Sequence, residues 1–411
     1  MTGLRSLGAS LFLIVLATVC VPPAFSAKYK TLYQFTGKQD GNSPQSALII
    51  DKSGNLYGTT LSGGQFSMGT IFEVSRNGDG TWKETVLHSF EPGLDGYQPY
   101  GGLVFDDAGN MYGTTFAGGA NAGTVFELSQ NGDGTWTHRV IYSFHGGNVD
   151  GAHPYAGVTF DAVGNLYGTT SGGGSYGYGT VFQLTPNQDG SWTENVIHSF
   201  DKEDGATPYA GVVFDAKGNL YGTAQSGGSQ NSGTLFELSP QPDGTWAASI
   251  LHQFCSKFNG GACYDGDRPM STPVLDDAGN LYGTTHWGGI YYGMVYQLKR
   301  DKSGHWIDNT LHTFSCTGID GYDPVGGVIF DNAGNLYGTT VVGSDCGGNE
   351  GYGTLFRLNL KDFWRETLLV LGDNPGAYPM GNLVIDAKGN LFGTTAGDGT
   401  NTHGTVFAIV P

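Results

Sequence analysis

The side chains best suited to act on a ligand fall in two sets: His286, Trp287, Tyr291 and Tyr292 within one loop, and His153, Arg268, Asp323 and Tyr378 at matching places far apart in the chain. The flat faces of tryptophan and tyrosine offer large apolar area with few rotors to freeze, which suits stacking on sugar rings or peptide side chains. His153, Arg268, Asp323 and His286, with Asp267, also contain the groups from which an acid and a base for polysaccharide cleavage would be drawn. Such chemistry needs two groups whose pKa values are pushed apart. The sequence has no nucleophile elbow, phosphate loop, zinc-ligand spacing or dinucleotide fingerprint. No catalytic residue is therefore assigned, and neither a metal nor a cofactor is expected.

What positions these residues is a repeat. The phrase NLYGTT, with small changes, begins at Asn55, Asn110, Asn165, Asn219, Asn280, Asn335 and Asn390. Its aromatic position advances in steps of 55, 55, 54, 61, 55 and 55 residues. A fixed period of this size marks a solenoid, a propeller or an array. Within the third unit, residues 156–161 are short and apolar, Asp161 to Asn165 reverses the chain, and NLYGTT runs back. Aspartate bonding its own backbone and glycine three residues later make this a hairpin turn. A glycine-rich connection then leads to GTVFQL at 179–184, and a second hairpin leads to WTENVIHSF at 192–200. Four antiparallel strands per unit match one propeller blade.

Register predicts how the array ends. Residues 30–35, KTLYQF, match a fourth strand, whereas the chain finishes on a third strand, GTVFAIVP. In a ring, the first segment completes the last blade and removes a raw sheet edge. The expected fold is all-β: one domain, residues 27–411, forming a seven-bladed β-propeller closed by its N-terminal strand.

Residues present in every unit are read as scaffold. His88, His198, His252 and His312 share one fourth-strand position, which Tyr142 also fills, and a tryptophan opens six of the fourth strands, at 82, 136, 192, 246, 306 and 364. The aspartates of Asp-Gly-x-x-Pro, such as Asp95 and Asp265, are read as turn formers, since one carboxylate per loop falls short of a calcium shell. Antiparallel alternation places the uniform hairpins on one face and the variable loops on the other, where binding concentrates. The residue before the leading proline of each unit varies: Ser43, Gln98, His153, Thr207, Arg268, Asp323 and Tyr378. With the first strand innermost, these form a collar at the mouth of the channel. The 61-residue step is an enlarged loop, 255–269, beside the His286–Tyr292 loop. In an oxidising compartment, the four cysteines of the repeats pair. Of three pairings, Cys255 with Cys263 and Cys316 with Cys346 join segments that this architecture makes neighbours.

The first 26 residues read as an export signal: Arg5, an apolar run from Leu11 to Cys20, and small residues closing it near Ser26. Secretion to the periplasm or exterior is expected. No later stretch is apolar enough for a membrane helix. Acidic residues outnumber basic ones 37 to 19, which disfavours nucleic acid and anionic surfaces. A monomer is expected.

The tandem Asp-x-x-Gly-Asn-Leu-Tyr-Gly-Thr-Thr, followed by Gly-Gly and Gly-Thr-Val-Phe-Glu-Leu, resembles the GloVer repeat family of bacterial exported proteins across residues 30–411. That resemblance implies an extracellular or surface protein without assigned catalytic residues. DAKGNLYG at 215–222 bears a weaker likeness to NHL-type propellers, whose period is shorter. The expected function is non-catalytic binding of a glycan or other extracellular polymer at the loop face of blades five and six. The alternatives are a propeller-type polysaccharide lyase or hydrolase and a purely structural surface protein.

Overall fold

The computed structural model describes residues 28–316, 320–343, 352–359, 376–397 and 403–410, and the backbone of 365–370. Seven four-stranded antiparallel sheets follow one another around a ring. Blade one is typical: Ile49–Ile50 innermost, then Leu56–Thr60, Thr70–Arg76 and Trp82–Ser89 at the rim. Blade seven joins Val384–Ile385, Leu391–Thr395 and Thr405–Val410 to the N-terminal strand Lys28–Gln34. The register runs from Lys28 opposite Val410 to Gln34 opposite Thr405, so the ring closes as expected.

The innermost strands are shorter than residues 156–161 suggest: only Thr159–Phe160 pair in blade three. Crowding at the axis explains this. A Cβ on Gly101 would lie 2.4 Å from the Gly157 nitrogen, so neighbouring inner segments touch backbone to backbone before they can extend a ladder.

Each letter of NLYGTT has a separate task. The leucine, Leu56 in blade one, is fully buried. The asparagine side chain donates to the turn aspartate, as Asn55 does to Asp51 at 2.9 Å. Tyrosine reaches the same aspartate, with Tyr57 Oη 3.3 Å from Asp51 Oδ2. Glycine admits the facing ring, because a Cβ on Gly58 would meet Phe72 at 2.7 Å. The first threonine bonds the next blade, as Thr169 does to the Ala210 carbonyl at 2.7 Å and Thr284 to that of Gly326 at 2.9 Å. The second pairs with a threonine of the third strand, Thr60 with Thr70 at 2.8 Å. The phrase therefore builds a blade and fastens it to its successor.

Aromatic edges complete the joints. In six of the seven blades a phenylalanine closes the fourth strand and is buried against a third-strand ring of the following blade: Phe35 on Phe72, Phe144 on Phe182, Phe314 on Phe356, each at 5.1 Å. Burying such a side chain stabilises by roughly 1.5–3 kcal/mol, so much of the propeller's stability resides in its joints. Blade five departs here: Tyr296 takes the phenylalanine's place, fully buried, with a hydroxyl that has no partner. No helix of the described residues is long and apolar enough to cross a membrane.

Candidate functional site

The loop face is built from the segment that leads into each blade and from the loop between second and third strands. The two are tied within a blade by a bridge, Asn42 with Ser62 in blade one and Asp267 with Trp287 in blade five. The collar residue follows that bridge. Its N–H donates to the loop of the preceding blade, and its carbonyl accepts from its own blade. Arg268 N donates to the Ser232 carbonyl at 2.9 Å while His286 N donates to the Arg268 carbonyl at 3.1 Å; Asp323 does the same with Tyr292 and Val341.

These two bonds hold all seven collar residues at positive φ, from 53° at Thr207 to 62° at Tyr378. For a side chain other than glycine that conformation costs about 1–2 kcal/mol. None of the seven is glycine in a chain with 70 of them. Side chains are thus kept at this position against a conformational preference.

Blade five concentrates exposed apolar surface. Phe258, Tyr264, Trp287, Ile290 and Tyr291 stand 41–61% exposed, all on its two neighbouring loops. The enlarged loop is a small hairpin, Phe258–Asn259 against Ala262–Cys263, closed by the expected Cys255–Cys263 disulfide. It docks on the second loop: Gly289 N donates to the Cys263 carbonyl at 2.8 Å, and Tyr291 Oη to that of Gly260 at 3.4 Å. Arg268 lays its guanidinium over the Trp287 ring at 4.2 Å, with His286 stacked beside that ring at 5.6 Å. Burial, and then the Arg268 charge, push the His286 imidazole down to about 4, so it is neutral at pH 7. Burial raises the Asp267 carboxyl, an effect that Ser232 and Arg268 oppose.

The remaining expected residues lie in other groups. His153 stacks on Phe116 at 4.8 Å in blades two and three. Asp323 bonds the backbone of Tyr292, and burial raises its carboxyl to about 6. Tyr378 is an exposed residue of blade seven. Cys316 is buried and disulfide-bonded, while Cys346, its expected partner, lies outside the described residues, as do residues 1–26.

The walls of the axial cavity, about 160 Å³, come from the residues just after the proline rather than from the collar before it. Three of them are tyrosines of consecutive blades: Tyr100 stacks on Tyr155 at 4.4 Å, and Tyr155 leans on Tyr209 at 4.6 Å. Burial pushes the Tyr155 hydroxyl up to about 12. Met270, Val325 and Met380 occupy the corresponding places on the other side. Sequence reasoning missed this arc. The signal was three successive Pro-Tyr pairs, at 99–100, 154–155 and 208–209.

The repeated histidines and aspartates serve the rim. Asp95 accepts from His88 Nε2 at 2.9 Å and from His138 Nδ1 of the next blade at 2.8 Å, and caps the Glu91 N–H. The histidine bonds hold its carboxyl below the usual range against the effect of burial. Asp265 likewise binds His252 and the Ser256 and Lys257 N–H groups. His88, Asp95 and His138, and His252, Asp265 and Asp308, are the two groups among the described residues with three metal-type ligands together. In the second, Lys257 already pairs with Asp308 at 2.6 Å.

Comparison with known proteins adds the following. The Gloeobacter/Verrucomicrobia repeat profile matches residues 22–132, 77–263 and 246–411. No curated protein matches the chain. Among solved structures, a fungal alcohol oxidase of the AA5 family in complex with copper is similar with a TM-score of 0.56 at 12% identity, covering 94% of this chain and 76% of that one. A putative oxidoreductase (glucose dehydrogenase) from Thermus thermophilus gives a TM-score of 0.40 at 13% identity, covering 93% and 100%. At these identities the first likeness is one of fold alone.

Proposed function

The chain belongs to the Gloeobacter/Verrucomicrobia repeat family, and we propose that this member is an exported, non-catalytic binding propeller that holds a glycan or another extracellular polymer on the loop face of blade five. One observation carries the reading: five large apolar side chains, three of them tyrosine or tryptophan, stand exposed together on two loops that a disulfide and cross-loop hydrogen bonds hold in place. Contiguous exposed apolar patches on a soluble chain mark interaction sites. A rigid aromatic patch loses little entropy on binding. The guanidinium over Trp287 supplies donors beside the rings, suited to the hydroxyls of a sugar.

The disulfide favours an oxidising compartment, in keeping with removal of residues 1–26 on export. The alternative of a lyase or hydrolase draws on residues held in separate groups: Arg268 and His286 around Trp287, His153 against Phe116, and Asp323 beside Tyr292.

The test incubates the protein with a panel of insoluble polysaccharides and measures both depletion from solution and newly formed reducing ends or unsaturated products. Binding to at least one polymer without product is expected. Product formation would establish the enzymatic alternative, and absence of binding across glycan and protein polymers would remove the proposal.

A further inference from the structure

The hairpin face, opposite the loops, carries a cleft of about 1040 Å³ between blades four and five, twice the 520 Å³ of the matching cleft between blades three and four. Their walls differ at several places, among them Arg300 where the other has Pro240, and the end of the innermost strand. At the end of the innermost strand, blades two, three, four and six carry Phe105, Phe160, Phe214 and Phe330, whereas blades one, five and seven carry the aliphatic Ile50, Leu275 and Ile385. Where phenylalanine is present, it stands edge-on to the tyrosine of the preceding blade; on either side of blade three, that tyrosine also meets the next tryptophan. Tyr167 lies 5.0 Å from Phe214 and 6.0 Å from Trp246, and Tyr112 lies 5.1 Å from Phe160 and 6.1 Å from Trp192. Tyr221 and Trp306 make no such contact, and Trp306 instead lies under the Arg300 guanidinium at 4.3 Å.

The groups facing this cleft are of mixed character. Leu275 and Phe214 give an apolar wall, and Lys217 and Asp277 add a donor and an acceptor. Arg300 and Glu237 pair with each other at 3.7 Å, while Arg300 also donates to the Gly304 carbonyl and Glu237 accepts from Tyr221. Asp215 and Asp276 are already engaged by their own turns, each accepting from an asparagine N–H at 2.9 Å. The Trp306 indole N–H is buried without an acceptor. An anion would meet four carboxylates against two cations. A purely apolar ligand would strip water from all six charges without replacing its hydrogen bonds. A polyhydroxylated ring answers both demands, since each hydroxyl donates and accepts while the C–H face rests on the apolar wall.

We propose that the cleft between blades four and five is a second binding site that takes a short neutral oligosaccharide, opened by Leu275 where four sister blades carry phenylalanine. It lies on the opposite face from the blade-five loops and is independent of them. Leu275→Phe restores the residue of those four blades, so the variant is built to fold while refilling the cleft.

The experiment follows the Trp306 indole N–H resonance, identified through Trp306→Phe, during titration with cellobiose, maltose or glucosamine. A saturable shift with a neutral disaccharide in the wild type, weakened about tenfold or more in Leu275→Phe at unchanged melting temperature, is the expected result. Three outcomes overturn the proposal: no saturable shift with either disaccharide, an equal response in Leu275→Phe, or a response to glucosamine alone, which would make the site one for amines. Tyr291→Ser, altered on the loop face, should titrate like the wild type. That separates failure here from failure of the loop-face reading.

Discussion

The Thr394 hydroxyl donates to the Ser46 carbonyl oxygen at 3.0 Å, joining residues 348 apart in sequence and fastening blade seven to blade one. The matching threonine links each of blades one to five to its successor, so the seam repeats an ordinary joint. The seam also depends on the N-terminal strand, which supplies the rim of blade seven and whose following residue Phe35 packs on Phe72 of blade one.

Removing residues 28–38 deletes that strand and that aromatic contact together. Loss of one buried phenylalanine alone costs about 3–5 kcal/mol, so the melting temperature should fall sharply in calorimetry. A truncated chain melting like the intact one would mean the propeller is not held at this seam.

Tyr296→Phe should stabilise. Six blades place phenylalanine here, whereas Tyr296 buries a hydroxyl without a partner. Leaving such a group unsatisfied costs about 1–3 kcal/mol. Denaturant unfolding should show a gain of about 1 kcal/mol; a loss would indicate that the hydroxyl has a role in the folded protein.

Stability should decline as pH rises through neutrality. Burial, and then Asp40, raise Glu84 to about 7; burial, and then Asp150, do the same to Glu194. Each glutamate also has a buried oxygen without a partner. A folded-state pKa raised above the unfolded value of about 4.3 gives stability that is full below about pH 4 and lost as pH climbs through about 7. The double variant Glu84→Gln, Glu194→Gln should therefore melt increasingly above the wild type between about pH 5 and pH 8. A constant difference would remove these two groups as the cause.

At the collar, Thr207 is the severest case, a β-branched residue at φ 53°. Thr207→Gly should leave stability unchanged or raise it by up to about 1 kcal/mol, since glycine enters this region freely. A clear loss would show that the side chain itself holds the turn, and would weaken the view that collar side chains are kept for a ligand.

Much of this architecture was legible in the chain because the repeat exposes it. A 55-residue period, Asp-x-x-Gly turns and an unpaired fourth strand at the N-terminus determined blade number, strand order and closure. The Cys255–Cys263 bond followed from two cysteines bracketing one insertion. What one strand's sequence does not hold is contact between blades. That His138 joins His88 on Asp95, that Tyr100, Tyr155 and Tyr209 meet at the axis, and that the collar stands outside the cavity wall all depend on how successive blades are rotated about the axis. The gathering of Phe258 and Tyr264 with Trp287 and Tyr291 was half visible, through adjacency of the loops, but their exposure was not.

The most direct test of the loop-face account is the affinity of the double variant Phe258→Ser, Tyr291→Ser for the polymer that the wild type retains, measured beside its melting temperature. Both side chains are more than half exposed, so the account predicts a loss of at least about tenfold in affinity, ~1.4 kcal/mol, with melting unchanged. Undiminished affinity in a correctly folded double variant would contradict it.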